Sequence, residues 1–156
     1  MANLIEEAKL AVGELLEKAY NKALAAGELP EGGLPAGNVE IPKDVKNGDW
    51  AANHAMAGAK TLKLSPRKIA EALCANIDLT DSYFSAVEIA GPGFLNFRLG
   101  DKWFAEVIAA VRGEGKDYGC SNEGRGERVM VEFVSANPTG PMTIGNARGG
   151  VLGDAL

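Results

Sequence analysis

Apolar residues recur at intervals of three and four from Leu4 onward: Leu4, Ile5, Ala8, Ala11, Val12, Leu15, Leu16, Ala19 and Leu24. That period predicts an amphipathic helix over residues 3–27. Asn3 is its N-cap, Glu6 and Glu7 fill the first turn where carboxylates suit free N–H groups, and Gly27 is its stop. A Pro- and Gly-rich loop follows over residues 28–37, then a short strand at Val39-Glu40-Ile41 that Pro42 ends. Asp49 is read as the N-cap of a second helix, with Ala51, Ala55, Met56, Ala59 and Leu62 on one face. Ser65 and Pro66 restart a helix, supported by Glu71, that turns Ile69, Ala70, Leu73 and Ile77 inward.

Two strand-like runs flank Gly91-Pro92-Gly93 between Tyr83 and Leu99, which predicts a β-hairpin. Asp101 then caps a helix to Val111 that carries Trp103, Phe104, Val107, Ile108 and Val111. Residues 113–126 are glycine-rich with mixed charge and read as a linker. Beyond it, Val129, Met130, Val131, Phe133 and Val134 make a nearly continuous apolar run, which predicts a buried strand. Asn-Pro and Gly-Pro make 135–141 a loop. Helical spacing returns with Ile144, Ala147, Val151, Leu152 and Ala155. Strand, tight loop and helix in that order suit an anion, because a helix N-terminus offers free donors and partial positive charge.

Composition adds limits. The chain has 156 residues, 46% hydrophobic and 24% charged, enough for one domain with a real core plus a fragment. No apolar run reaches membrane-spanning length and the start does not resemble a signal peptide, so a cytoplasmic location without membrane contact is expected. Cys74 and Cys120 lack metal-ligand spacing and read as reduced thiols. With one histidine, His54, no His-rich metal site is possible and no metal ligands are assigned. His54 itself reads as a surface or hydrogen-bonded residue. A net charge of −5 argues against loose, charge-driven binding to nucleic acid but not against a small specific patch. Lys60, Lys63, Arg67 and Lys68 form a basic cluster that is either a solvated helix-end face or a phosphate contact.

A resemblance sharpens this picture. The run V-E-F-V-S-A-N-P-T-G-P-M-T-I-G-N-A-R-G-G-V-L-G-D-A-L resembles the first active-site segment of arginyl-tRNA synthetase, a class I aminoacyl-tRNA synthetase. That family's signature His-Ile-Gly-His is replaced by Thr143-Ile144-Gly145-Asn146. The resemblance implies that Glu132, Ser135 and Asn137 bind arginine, and that Thr143, Gly145 and Asn146 bind ATP. Thr143 and Asn146 would stand in the catalytic places of the two histidines. ATP would be a substrate, with magnesium in the parent enzyme. The strings G-D-W-A-A-N and V-E-I-A-G-P-G-F-L-N-F resemble the family's N-terminal domain, which binds the tRNA elbow near the D-loop. Phe94 would then stack on an unpaired base and Asn96 would hydrogen-bond to one. From chemistry alone, a hairpin phenylalanine is a core residue.

The resemblance implies an α+β N-terminal domain over residues 1–112, with helices packed on a small antiparallel sheet. A linker at 113–126 would lead to the first strand, loop and helix of an incomplete α/β Rossmann-like catalytic domain at 127–156. The chain would be the N-terminal portion of an arginine-tRNA ligase, with tRNA and arginine as partners and a monomer as its expected state. It lacks the family's second signature loop and its anticodon-binding domain, so by itself it is expected to be inactive. The alternative is a free-standing RNA-binding or structural module without catalytic activity.

Overall fold

The computed structural model describes residues 3–122 and 124–156. Met1 and Ala2, at the start read for a signal peptide, and Glu123 of the predicted linker lie outside the described residues.

Helix α1 spans Leu4–Ala25. The Asn3 side chain accepts from Glu6 N at 3.2 Å, which satisfies one of the first-turn donors. Leu4, Ala8, Val12, Leu16, Ala19 and Ala23 are buried along one face, while Ile5 stays exposed. Gly27 lies at φ +73°, the left-handed conformation that glycine adopts without steric penalty, and ends the helix. The Tyr20 hydroxyl donates to Pro30 O and accepts from Gly33 N, both at 2.9 Å, so the following loop is pinned to α1.

Strands β1 (Val39–Glu40), β2 (Trp50–Ala52), β3 (Phe84–Ala90) and β4 (Phe94–Leu99) form one antiparallel sheet in the order β1-β2-β4-β3. The expected hairpin is β3–β4. The expected helix from Asp49 is not formed: residues 50–52 are strand β2, and helix α2 runs from His54 to Leu62 with Asn53 as N-cap. Trp50-Ala51-Ala52 has no strong preference of its own. Its three residues are all buried, between β1 and β4, and pairing on both edges outweighs the helix propensity of alanine. Asp49 serves the sheet instead. Its backbone N donates to Phe97 O at 2.8 Å and its carboxylate accepts from Leu99 N at 2.8 Å.

Helix α3 spans Pro66–Asn76, with Pro66 in the first turn and the Ser65 hydroxyl accepting from Lys68 N at 3.4 Å. Its Ile69, Ala70 and Leu73 meet α1 and the sheet in a single core with Trp50, Ala52, Leu95, Phe97 and Phe84. The Phe84 and Phe97 rings lie 5.2 Å apart and tilted, a favourable aromatic arrangement.

Helix α4 spans Asp101–Glu114, capped by Gly100 rather than Asp101, and continues past Val111 into the residues read as linker before a 3₁₀ turn at Gly115–Asp117. It buries no residue fully. Trp103 packs on the core and its indole N–H donates to Leu4 O at 3.1 Å, whereas Phe104, Ile108 and Val111 are exposed.

Contacts divide the chain into a unit ending at Gly119 and a second unit, Cys120–Leu156. Within the second, helix α5 spans Ile144–Ala155, as its spacing predicts. The buried strand expected over Val129–Val134 is not formed: Val129 is 80% and Met130 93% exposed, and Val134 sits at φ +57°. Strand propensity is largely packing against neighbours, and no described strand pairs with this run. Phe133 and Val134 lie against α5 instead, at Gly153 and Gly150, where a Cβ would crowd them. The first unit is thus an α+β domain. The strand that would open a Rossmann-like unit is absent among the described residues.

Candidate functional site

Alternation along β4 sorts its side chains between two faces. Leu95 and Phe97 point into the core, so Phe94, Asn96 and Arg98 share the opposite face. Phe94 is half-buried and belongs to no part of the core cluster. The core-aromatic role that chemistry alone assigns to a hairpin phenylalanine is filled by Phe84 and Phe97. Phe94 and Asn96 are two residues apart on one strand, so their attachment points are about 7 Å apart.

The register extends this face across the sheet. Asn96 stands opposite Ala51 and Glu88, and Glu40 stands opposite Ala51, giving a row Glu40–Ala51–Asn96–Glu88. Asn96 is only 6% exposed. Arg98, which the sequence analysis did not single out, has Nη2 3.8 Å from Glu88 Oε2 and donates to Lys46 O at 2.9 Å. Its place on this face follows from the same alternation once the register of β4 is known. An aromatic ring beside an amide can stack on one base and bond the edge of another, and the flanking carboxylates disfavour phosphate directly over the row.

The turn between β3 and β4 is fixed from the helix side. A Cβ at Gly93, which has φ +144°, would come within 2.9 Å of Pro66. Arg67 Nη1 donates to Gly91 O at 3.4 Å. The first turn of α3 therefore packs on the turn that leads into Phe94.

The second set of expected residues lies at the start of α5. Thr143 and Asn146 form a reciprocal cap: Thr143 Oγ1 accepts from Asn146 N at 3.3 Å, and Asn146 Oδ1 accepts from Thr143 N at 3.0 Å and from Thr143 Oγ1 at 2.8 Å. Asn137, Thr143 and Asn146 line one open concavity of about 250 Å³. A Cβ at Gly145 would meet only Thr143 Oγ1, at 3.5 Å, so a ligand can approach the backbone there. Glu132 and Ser135 form a separate pair, with the Ser135 hydroxyl donating to Glu132 Oε1 at 2.5 Å. Neither lines the concavity.

His54 departs from its expected surface or hydrogen-bonded state. It is 7% exposed and its Nδ1 has no partner among the described residues. Burial holds its pKa below the ordinary value. It lines a cavity of about 460 Å³ with Glu17, Tyr20 and Asn21. A larger cleft of about 600 Å³ runs beside α1, where the Tyr83 hydroxyl donates to Glu106 Oε2 at 2.8 Å. That bond, with burial and the nearby Glu7, pushes the phenol up to about 12. Both Tyr83 and Glu106 are unremarkable in sequence, and only folding pairs them. Among the described residues no group of three or more His, Cys, Asp or Glu could hold a metal ion, and no helix is long and apolar enough to cross a membrane.

Comparison with known proteins gives a consistent result. The family model described as the arginyl tRNA synthetase N terminal domain matches residues 10–99. The arginine–tRNA ligase of Acetivibrio thermocellus is 46% identical over 156 residues, all of this chain and 28% of that protein. The arginine–tRNA ligase of Caldanaerobacter subterraneus is 44% identical over the same share of each chain. The chain therefore spans about 28% of the length of these curated relatives. A crystal structure of arginyl-tRNA synthetase from Plasmodium falciparum aligns with a TM-score of 0.48 and 16% identity over 64% of this chain and 17% of that one, a likeness too loose to support further argument.

Proposed function

This chain belongs to the arginyl-tRNA synthetase family, and on that premise we propose that its first domain, residues 1–112, grips the elbow of arginine tRNA through the face of the sheet turned away from the core. Phe94 stacks on an unpaired base near the D-loop, and Asn96 bonds to a base edge. The observation that carries this reading is the position of both side chains on the face turned away from the core. Phe94 is half-buried outside the core cluster, so part of its ring is free to meet a base.

The whole protein, on this proposal, is an arginine-tRNA ligase that uses ATP. The arginine carboxylate attacks the α-phosphate, the bond to the bridging oxygen breaks, and pyrophosphate leaves. Glu132 pairs with a cationic group of arginine, and Ser135 and Asn137 add oriented hydrogen bonds. The start of α5, with Thr143, Gly145 and Asn146, receives the nucleotide phosphates. Thr143 and Asn146 already hold each other as a cap, so they act by fixing the helix start as well as by touching ATP. Among the described residues no cluster of three or more His, Cys, Asp or Glu side chains fits magnesium. A linker over residues 113–126 joining a catalytic unit from 127 onward, and a monomeric cytoplasmic protein, complete the proposal.

Titration of fluorescently labelled arginine tRNA tests it. Phe94→Ala should weaken binding by about 5- to 150-fold, the equivalent of about 1–3 kcal/mol for one stacked base. Asn96→Ala should weaken it as well. Unchanged affinity in both variants would falsify the elbow contact, and no binding by the unaltered chain would leave a structural module.

A further inference from the structure

We propose that Lys60, Lys63 and Lys68, at the junction of α2 and α3, hold the sugar-phosphate backbone of the RNA beside the β3–β4 turn. The inference rests on the elbow reading above and extends it: the base-reading face continues around the turn into a phosphate-binding flank.

Four observations converge. The first is placement. Helix α2 ends at Leu62 and α3 begins at Pro66, so the short link brings the end of one helix to the start of the other. Lys60, Lys63, Arg67 and Lys68 all fall within this junction and are exposed. The second is freedom. Lys60, Lys63 and Lys68 have no ion pair among the described residues, whereas Arg67 is paired with Glu71 at 2.9 Å. Such unneutralised clustering stands out in a chain of net charge −5.

The third is that parts of the cluster run against local folding preferences, although Lys60, in the last turn of α2, suits the helix dipole. Arg67 and Lys68 occupy the first turn of α3, which contains no acid, although cations there oppose the partial positive charge of the helix start. By contrast, α1 places Glu6 and Glu7 in its first turn. Lys63 sits at φ +52°, a left-handed position that favours glycine. Arg67 is compensated by Glu71 and by Gly91 O, whereas Lys63 and Lys68 gain no ion pair among the described residues, and together they concentrate positive charge at one place.

The fourth is connection. Arg67 reaches Gly91 O and Gly93 lies against Pro66, so the basic junction is fixed to the turn that delivers Phe94. Across the face turned away from the core, Glu40 and Glu88 lie in one row with Asn96, and Arg98 is drawn to Glu88. Phosphates are repelled from that row and favoured at the turn. A base can then reach Phe94 while its backbone lies on the lysines.

The test is the salt dependence of binding by the full chain to arginine tRNA between about 50 and 200 mM salt. For Lys63→Ala combined with Lys68→Ala, affinity should fall and the slope of log K against log salt should become shallower by about 1 to 2, roughly one per lost phosphate contact. Phe94→Ala should lower affinity while keeping the original slope. If the lysine pair keeps the slope while Phe94→Ala still weakens binding, the phosphate flank is wrong and the elbow reading survives. If the slope flattens while Phe94→Ala changes nothing, the flank stands and the base contact falls. Should the double variant fail to fold, Lys68→Gln, which keeps a long stem, provides the same measurement with a change of about one.

Discussion

His54 shows how one buried side chain sets a condition on the fold. In the unfolded chain it takes a proton near its ordinary pKa of 6.5, whereas in the folded chain burial pushes protonation to lower pH. The unfolded state therefore binds the extra proton first as pH falls. The stability associated with His54 is complete above pH 6.5 and declines from there toward the lowered folded value. Urea midpoints measured from pH 7.5 to 5 should fall less steeply for His54→Gln than for the original chain. Parallel profiles would remove His54 from the account; carboxylates contribute to both proteins alike. At this scale sequence is a poor guide. Nothing near His54 announces burial, and nothing distinguishes Phe94 from Phe97 except the face each occupies in a sheet whose register comes from its neighbours.

Elements differ in how much of their stability is local. Helix α5 carries its own start signal, since Thr143 and Asn146 cap each other through bonds that span only three residues. Thr143→Ala should cost that helix about 1 kcal/mol, read as lost ellipticity and faster exchange of the Asn146 amide proton. Exchange unchanged at Asn146 would mean that the cap contributes nothing. Helices α1 and α3 are similarly self-declaring, through Asn3, Ser65 and Pro66. Strands are not. Residues 50–52 look helical and are a strand because two neighbours claim them, while Val129–Val134 looks like a strand and is not one because no described strand does. The same apolar run instead leans on the glycines of α5.

At the scale of the molecule, every residue of the buried core cluster lies between Ala8 and Phe97, with partly buried neighbours as far as Trp103. That core is complete within the first unit. A chain ended at Gly119 is expected to fold by itself, with native-like far-UV circular dichroism and a single cooperative thermal transition. A broad, non-cooperative melt would show that the core requires more of the chain. The candidate sites divide along the same line: Phe94 and Asn96 belong to the first unit, and the residues from Glu132 to Asn146 to the second.

By itself the sequence determined helices α1, α3 and α5, the caps at Asn3 and Ser65, the hairpin and the family, because each rests on residues close together in the chain: a period of three and four, a cap and its partner, a turn between two runs, a motif in register. Tertiary structure alone decided that residues 50–52 join the sheet, that His54 is buried, that Phe94 faces away from the core, and that the basic helix junction meets the hairpin turn. Each of these depends on groups distant in sequence competing for the same space and the same hydrogen bonds, and no local pattern records who wins.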